Sequence, residues 1–311
     1  MPLTRFVKSG TLCLICLPLV SAQQERASQF RVNVDMVTLT FTVTDGKGKY
    51  VRGLKPGDLL LREDGIPQKI AGFAEGAEPM ARIGDMPPDA LGTKIFVLFD
   101  TSNWMYAGFP YASDAIADFV RRLDETDSVA IYKFSRNLFR AVSPTGNRER
   151  ALSAARNSVA GDETALFNCL LLTLRDASKA AGRKAIVVFS NGPDTASIVS
   201  PDDIGAVAED EGIPIYVVST ADQQKNPALA SALRRLTERT GGRLFWAWTW
   251  KKQADAFTSI RESLASSYTV AYYPAPNPNR GFRKIGVEVV GDKGKKYRIR
   301  ARAGYHAPVK P

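Results

Sequence analysis

Short, almost wholly apolar segments alternate with longer amphipathic ones between residues 93 and 266. The short segments have the length of β-strands and are apolar on both faces, whereas the longer ones repeat apolar residues every three or four positions, as helices do. Strands that are buried on both faces and joined by helices form a parallel sheet with helices on each side. The predicted strands cover residues 94–100, 128–134, 184–190, 213–219 and 243–246. We therefore predict an α/β domain with a doubly wound, mostly parallel, Rossmann-like sheet.

The flanks of this domain show the apolar–polar alternation of antiparallel strands. It occurs at residues 30–44, 59–65 and 68–73 on one side and at 268–273, 283–290 and 296–303 on the other. A turn between the last two segments of each flank predicts a hairpin. We predict that the flanks pair into one antiparallel β-sandwich, with two separate β modules as the alternative. The predicted organisation is a signal peptide at 1–22, an N-terminal β segment at 23–75, a linker at 76–92, the α/β domain at 93–266 and a C-terminal β segment at 267–308.

The first 22 residues have the pattern of a secretory signal peptide. Arg5 and Lys8 precede an apolar run at 12–20, and small residues ending at Ala22 form a cleavage site. The run is shorter than the ~20 residues that span a bilayer, and an uncleaved membrane anchor is the alternative. Cleavage removes two of the three cysteines and leaves Cys169, so no internal disulfide can form. We expect a secreted or periplasmic protein that is not transmembrane after cleavage.

Polar residues follow the predicted strands at the edge where parallel sheets bind ligands. Asp100 ends the first strand and Ser102 follows it. Thr164 opens a helix, and Asn191 follows the strand at 184–190. Because the carboxyl ends of parallel strands share one edge, we expect these side chains to lie on one face.

With these residues in place, the sequence resembles the von Willebrand factor A (VWA) family, and more narrowly the VWFA-related proteins common in acidobacteria. The resemblance extends over about residues 30–308 in order and spacing. It includes Asp45-Gly46, Glu63-Asp64-Gly65, Tyr272-Tyr273-Pro274 and Arg302-Ala303-Gly304-Tyr305. It implies a protein-binding or adhesion module.

VWA domains often carry a metal-ion-dependent adhesion site with the pattern D-x-S-x-S, a threonine in a later loop and an aspartate after a later strand. Asp100, Ser102 and Thr164 match this pattern. Mg²⁺ prefers about six oxygen ligands, and in this family the metal bridges to a carboxylate of the partner.

Two positions depart from the pattern. Trp104 stands where the second serine is expected and offers no ligand, and Asn191 replaces the aspartate and lacks its charge. The resemblance therefore implies a degenerate site with no cofactor or with weakly bound Mg²⁺ or Mn²⁺. Asp194 is a further candidate ligand.

Tryptophans suggest a second kind of contact. Trp246, Trp248 and Trp250 alternate, so an extended segment would point them to one side. Since tryptophan is enriched at binding hot spots, we interpret Trp104, Trp248 and Trp250 as candidate partner-binding residues. Packing at the sheet edge is the alternative, and the favoured one for Trp246.

The sequence gives less support to anionic-surface binding, nucleic-acid binding or catalysis. The basic residues at alternate positions Lys296, Arg298, Arg300 and Arg302 suggest a strand face that binds anionic envelope surfaces, or simply a solvated face. A nucleic-acid motif is absent from the sequence, and export argues against nucleic acid as a partner. His306 is the only histidine, and no nucleophile motif accompanies it. An envelope-polymer hydrolase would need an acid pair, for which Asp194 with Glu163 or Asp162 is the candidate.

The sequence thus predicts an exported, non-catalytic module that binds an unknown protein partner, through a carboxylate if the metal is present. The hydrolase and the charge-driven surface binder are its alternatives.

Overall fold

The computed structural model describes residues 36–76, 78, 81–82, 92–103, 105, 109–157, 161–191, 193–291 and 294–307. The predicted signal peptide, residues 23–35, most of the predicted linker and Trp104 lie outside these ranges. The signal peptide, the linker and the domain boundaries therefore stay predictions.

The strands in chain order are β1 (Val37–Thr44), β2 (Leu59–Glu63), β3 (Ile66–Pro67), β4 (Ile70–Glu75), β5 (Ala81–Arg82), β6 (Thr93–Asp100), β7 (Ser128–Phe134), β8 (Leu138–Thr145), β9 (Arg183–Ser190), β10 (Ile215–Ser219), β11 (Leu244–Trp246), β12 (Ser267–Tyr272), β13 (Phe282–Val289), β14 (Arg298–Ala301) and β15 (Gly304–His306). The helices are α1 (Phe109–Arg121), α2 (Arg148–Arg156), α3 (Leu166–Ser178), α4 (Pro201–Asp210), α5 (Pro227–Arg239) and α6 (Trp250–Ala265).

Six strands form the central sheet in the order β11-β10-β9-β6-β7-β8. Neighbours are parallel except β8, which runs antiparallel to β7. Helices cover both faces, which confirms the predicted α/β class. The sequence analysis missed β8, because its residues are mostly half-buried or exposed and its apolar pattern is weak.

The two faces of the sheet have separate apolar cores, as strands with apolar residues at successive positions require. Val97 and Phe99 of β6 pack with residues of α1 and α6. Phe96 and Leu98 alternate with them and pack on the other face, with residues of α3, α4 and α5. Both cores hold β6 at the centre of the sheet, so the loop that follows Asp100 starts from a fixed point.

The flanks form two antiparallel sheets, β14-β1-β12-β4-β5 and β15-β13-β2-β3. Each sheet takes strands from both ends of the chain, as the predicted fold class requires. A shared core includes Phe41, Leu61 and Tyr272. Among these apolar residues the fully buried Glu63 accepts hydrogen bonds from the hydroxyls of Tyr272 and Tyr305, both at 2.9 Å, and pairs with Arg283 at 3.0 Å.

Both predicted hairpins are wrong. β2 pairs with β13 and β3, whereas β4 pairs with β12 and β5. In the same way β13 pairs with β2 and β15, whereas β14 pairs with β1. In each flank the chain crosses from one sheet of the sandwich to the other between the two predicted hairpin strands. These strands therefore pack face to face across the core and do not pair edge to edge.

The predicted basic strand face is interrupted at Arg302. The strand ends at Ala301, and the Arg302 side chain is buried at 5% exposure. Its guanidinium donates to the carbonyl oxygens of Glu209, Asp210 (3.0 Å) and Thr38 (2.7 Å). It thereby connects the C-terminal end of α4 to β1, and is not available to a ligand.

Within the described ranges, no helix combines the length and the apolar character needed to cross a membrane.

Candidate functional site

Backbone hydrogen bonds draw three loops together at the carboxyl end of the central sheet. The Thr101 N–H donates to the Phe134 carbonyl at 2.7 Å, and the Gly161 N–H donates to the Thr101 carbonyl at 2.8 Å. The Thr195 N–H donates to the Thr164 carbonyl, also at 2.8 Å. The loops after β6 and β9 and the segment before α3 thus form one face, which we call the loop face.

Asp100 lies at the centre of the loop face and is fully buried. One of its carboxylate oxygens accepts the Ser102 N–H at 2.9 Å, and the other accepts the Ser190 hydroxyl at 2.5 Å. The Asn191 N–H also donates to it. Burial raises the pKa of Asp100 above its usual range despite these bonds, because removing a carboxylate from water disfavours its charged form.

Two hydroxyls beside this carboxylate are buried and unsatisfied. Ser102 is 1% exposed and Thr164 is 0% exposed, and neither hydroxyl oxygen has a hydrogen-bond partner among the described residues. Buried hydroxyls are normally paired, and an orphan calls for an explanation such as an ion or a water molecule. Their oxygens fit a divalent cation, as the resemblance implies.

Few carboxylate groups are available as metal ligands beside Asp100, Ser102 and Thr164. Within the described ranges, no three His, Cys, Asp or Glu side chains are grouped as metal ligands. Asp194 is held in another role, since one oxygen accepts the Phe167 N–H of α3 at 2.8 Å and the other accepts the Ser197 N–H at 2.8 Å. The described donor set therefore fits a weakly held cation better than a tightly held one.

The proposed acid pair is also engaged elsewhere. Glu163 forms an ion pair with Arg136 at 2.9 Å, and both side chains are half or more exposed. Asp194 caps α3 and its own loop, as described above.

The tryptophans occupy the edge of the sheet. Trp246 ends β11 and is half-buried, whereas Trp248 and Trp250 are 58% and 68% exposed. The predicted extended segment ends at Trp246, because α6 begins at Trp250. With β10 and β9 lying between β11 and β6, the two exposed tryptophans are offset from Asp100 by about 14 Å across the strands.

The sequence analysis missed several residues of the loop face. Ser190, the last residue of β9, binds Asp100, and its position immediately before Asn191 is the signal that could have found it. Tyr111, Phe139 and Ile198 are 62%, 65% and 93% exposed. A single exposed apolar residue has no periodic signature, so the exposure of these three is visible only in the fold.

Two buried nucleophilic groups lie outside the site. Burial raises the pKa of the Cys169 thiol to about 12, so the thiol is unreactive at neutral pH. Burial lowers the pKa of the Lys133 ammonium, which donates to the Asn157 carbonyl, to about 8.

His306 lies in β15, where its Nδ1 is 3.0 Å from Asp210.

Residues 95–193 match the family model of the von Willebrand factor type A domain. No curated protein sequence matches the chain.

Among solved structures, a von Willebrand factor type A protein from Catenulispora acidiphila is 11% identical over 89% of this chain and 75% of its own, with a TM-score of 0.47. BatB from Bacteroides thetaiotaomicron is 16% identical over 55% of this chain and 100% of its own, with a TM-score of 0.44. Mussel byssus proximal thread matrix protein 1, with a zinc-occupied adhesion motif, is 14% identical over 58% of this chain and 48% of its own, with a TM-score of 0.46.

The family match covers β6 through the loop after β9, which is the segment that carries Asp100, Ser102, Thr164 and Asn191. The protein therefore contains a von Willebrand factor type A domain in residues 95–193.

Proposed function

We propose that this protein is an exported, non-catalytic adhesion module that binds a protein partner through its loop face. VWA domains are interaction modules, and the coarse assignment follows from the family. Export rests on the predicted signal peptide. The non-catalytic role is supported by the engagement of Glu163 with Arg136 and of Asp194 with backbone amides.

The observation that carries the proposal is the apolar rim of the loop face. We define this rim as Tyr111, Phe139, Ile198, Trp248 and Trp250, all of which are more than half exposed. Tyr111 lies in the first turn of α1, the helix that follows β6. Phe139 lies opposite Lys133 near the end of β7, and Ile198 lies between β9 and α4. Each of these residues follows or flanks the carboxyl end of a strand of the central sheet, and exposed apolar side chains along one such edge favour a contact surface.

The rim is rigidly presented at Ile198. The Ile198 N–H donates to the Asn168 side-chain oxygen at 3.1 Å, and the Asn168 N–H donates to the Ser197 hydroxyl at 2.9 Å. A preorganised loop loses little conformational entropy when it binds. This makes Ile198 the best candidate for an anchor that enters an apolar pocket of the partner.

The metal-ion-dependent adhesion site is the second part of the proposal. Asp100, Ser102, Thr164 and the Asn191 amide would hold Mg²⁺ or Mn²⁺ weakly, and Asp194 keeps its structural bonds. A bound ion would supply a ligand position for a carboxylate of the partner. Because the protein would bind this ion only weakly, the apolar rim supplies most of the affinity for the partner.

Site-directed photo-cross-linking in the producing cells tests the proposal. A photoreactive residue at Ile198 should give a discrete protein adduct, and the substitution Tyr111→Asp in the same chain should reduce it. The matched control is Tyr273, which is 47% exposed but lies in the sandwich and should give none. Equal adducts at both positions, or none at Ile198, would overturn the proposal.

A further inference from the structure

One part of the rim differs from the rest in its charge. Trp248 and Trp250 are followed at once by Lys251 and Lys252, and all four side chains are exposed. We call these four residues the Trp–Lys corner. The corner lies where β11, the edge strand of the central sheet, leads into α6.

The corner is preorganised by its own contacts. The Lys252 ammonium lies 3.2 Å from the centroid of the Trp248 ring, which is a close cation–π arrangement. The Thr249 hydroxyl accepts the Lys252 N–H at 3.3 Å and caps α6. Indole rings and cationic groups are thus held together on one exposed turn.

This combination points to a lipid surface. Tryptophan settles at membrane–water interfaces because one end of its ring is apolar and the other is a donor. Lysine keeps its ammonium in the headgroup region while its stem lies on apolar surface. Protein interfaces favour tryptophan but are depleted of lysine, and Lys252 covers one face of Trp248, so that face is closed to a sugar ring.

We propose that the Trp–Lys corner binds the anionic phospholipid surface of a membrane. The tryptophans insert at headgroup level, and the two ammonium groups pair with lipid phosphates. Each lysine near an anionic leaflet strengthens binding about fivefold. Four residues give weak and reversible association, and the loop face is then turned towards the membrane. Trp248 and Trp250 also belong to the apolar rim, so a protein partner bound at the same time would contact Tyr111, Phe139 and Ile198. The vesicle experiment contains no protein partner, so its outcome is independent of the proposed function.

Co-sedimentation of the mature chain, residues 23–311, with vesicles tests it, because the basic and apolar residues of the predicted signal peptide would themselves bind anionic lipid. Vesicles of equal parts phosphatidylglycerol and phosphatidylcholine should bind the protein, and phosphatidylcholine alone should bind it much less. Lys251→Gln with Lys252→Gln should weaken binding about 25-fold. The matched control is Lys47→Gln with Lys49→Gln, which removes the same charge from an exposed turn of the sandwich and should change little.

Trp248→Ala with Trp250→Ala separates insertion from simple charge attraction. This variant should lose at least about tenfold in affinity even on phosphatidylglycerol vesicles. Equal losses in both lysine variants, or unchanged binding of the tryptophan variant, would overturn the proposal. Binding of the wild-type chain to soluble polyglutamate but not to vesicles would assign the corner to an acidic protein segment instead, and would also overturn it.

Discussion

Replacing Arg302 with methionine should destabilise the protein strongly. Methionine keeps much of the aliphatic stem, so the change removes the guanidinium and its hydrogen bonds. Three carbonyl oxygens, those of Glu209, Asp210 and Thr38, would lose their donor. They belong to α4 and β1, so one of the links between the α/β domain and the sandwich would be lost with them.

The magnitude follows from two opposing contributions. A hydrogen bond from a charged donor contributes about 1.5–3 kcal/mol net, and three such bonds set the upper range. Burial of the Arg302 charge opposes this, and it also lowers the pKa of Arg302. We expect a loss of about 3–5 kcal/mol in the free energy of unfolding, because each buried carbonyl oxygen left without its donor costs about 1–3 kcal/mol.

Urea unfolding of the full chain, followed by circular dichroism, measures this loss. The matched control is Arg298→Met, which removes the same group from an exposed position on β14. A surface change of this kind should cost less than about 0.5 kcal/mol. If Arg302→Met and Arg298→Met differ by less than about 1 kcal/mol, then the buried arginine does not hold α4 to β1 and the reasoning is wrong.

Three further predictions concern single sites. Glu63→Gln removes the charge paired with Arg283 in the sandwich core and should cost about 3 kcal/mol in urea unfolding; a loss below about 1 kcal/mol would contradict the buried pair. Lys133 has a folded pKa of about 8 against 10.5 for the free side chain, so the unfolded chain binds more protons between these values and stability should rise with pH across that window. Lys133→Met should remove about 2 kcal/mol of this rise, and an unchanged pH profile would refute it. Asn191→Asp with Trp104→Ser should create a Mg²⁺-dependent increase in the thermal midpoint, and no increase would mean that more than these two positions disable the site.

The central sheet was predictable because its signal is local. Buried strands such as β6 and β9 are apolar throughout, and each helix repeats its apolar residues along one side. The sandwich was harder, since alternation identifies strands but not their partners. β2 and β4 lie close together in sequence and each has the pattern of a strand, yet each has one partner more than 190 residues away, in β13 and β12 respectively.

The candidate site likewise contains residues that the sequence predicted and residues that only the fold identifies. The motif spacing predicted that Asp100, Ser102 and Thr164 would belong together, because each follows a strand or opens a helix at one edge of the sheet. The role of Ser190 and the apolar rim depend on which loops meet in space. Arg302 shows most clearly what the sequence pattern could not predict. Its alternation with Arg298 and Arg300 suggests an exposed strand face, whereas the strand ends at Ala301 and the Arg302 side chain is buried.

The central claim is that the loop face is an interaction surface built around a degenerate adhesion site. Titration calorimetry of Mg²⁺ and Mn²⁺ into the full chain, after treatment with a chelator, tests it most directly. The account predicts at most weak binding, well above the micromolar range, because Asp194 is held by backbone amides and the described residues hold no group of three acidic, histidine or cysteine side chains placed to bind a metal. Micromolar binding would contradict it, since a full ligand set would then be present and the metal, rather than the apolar rim, would dominate recognition.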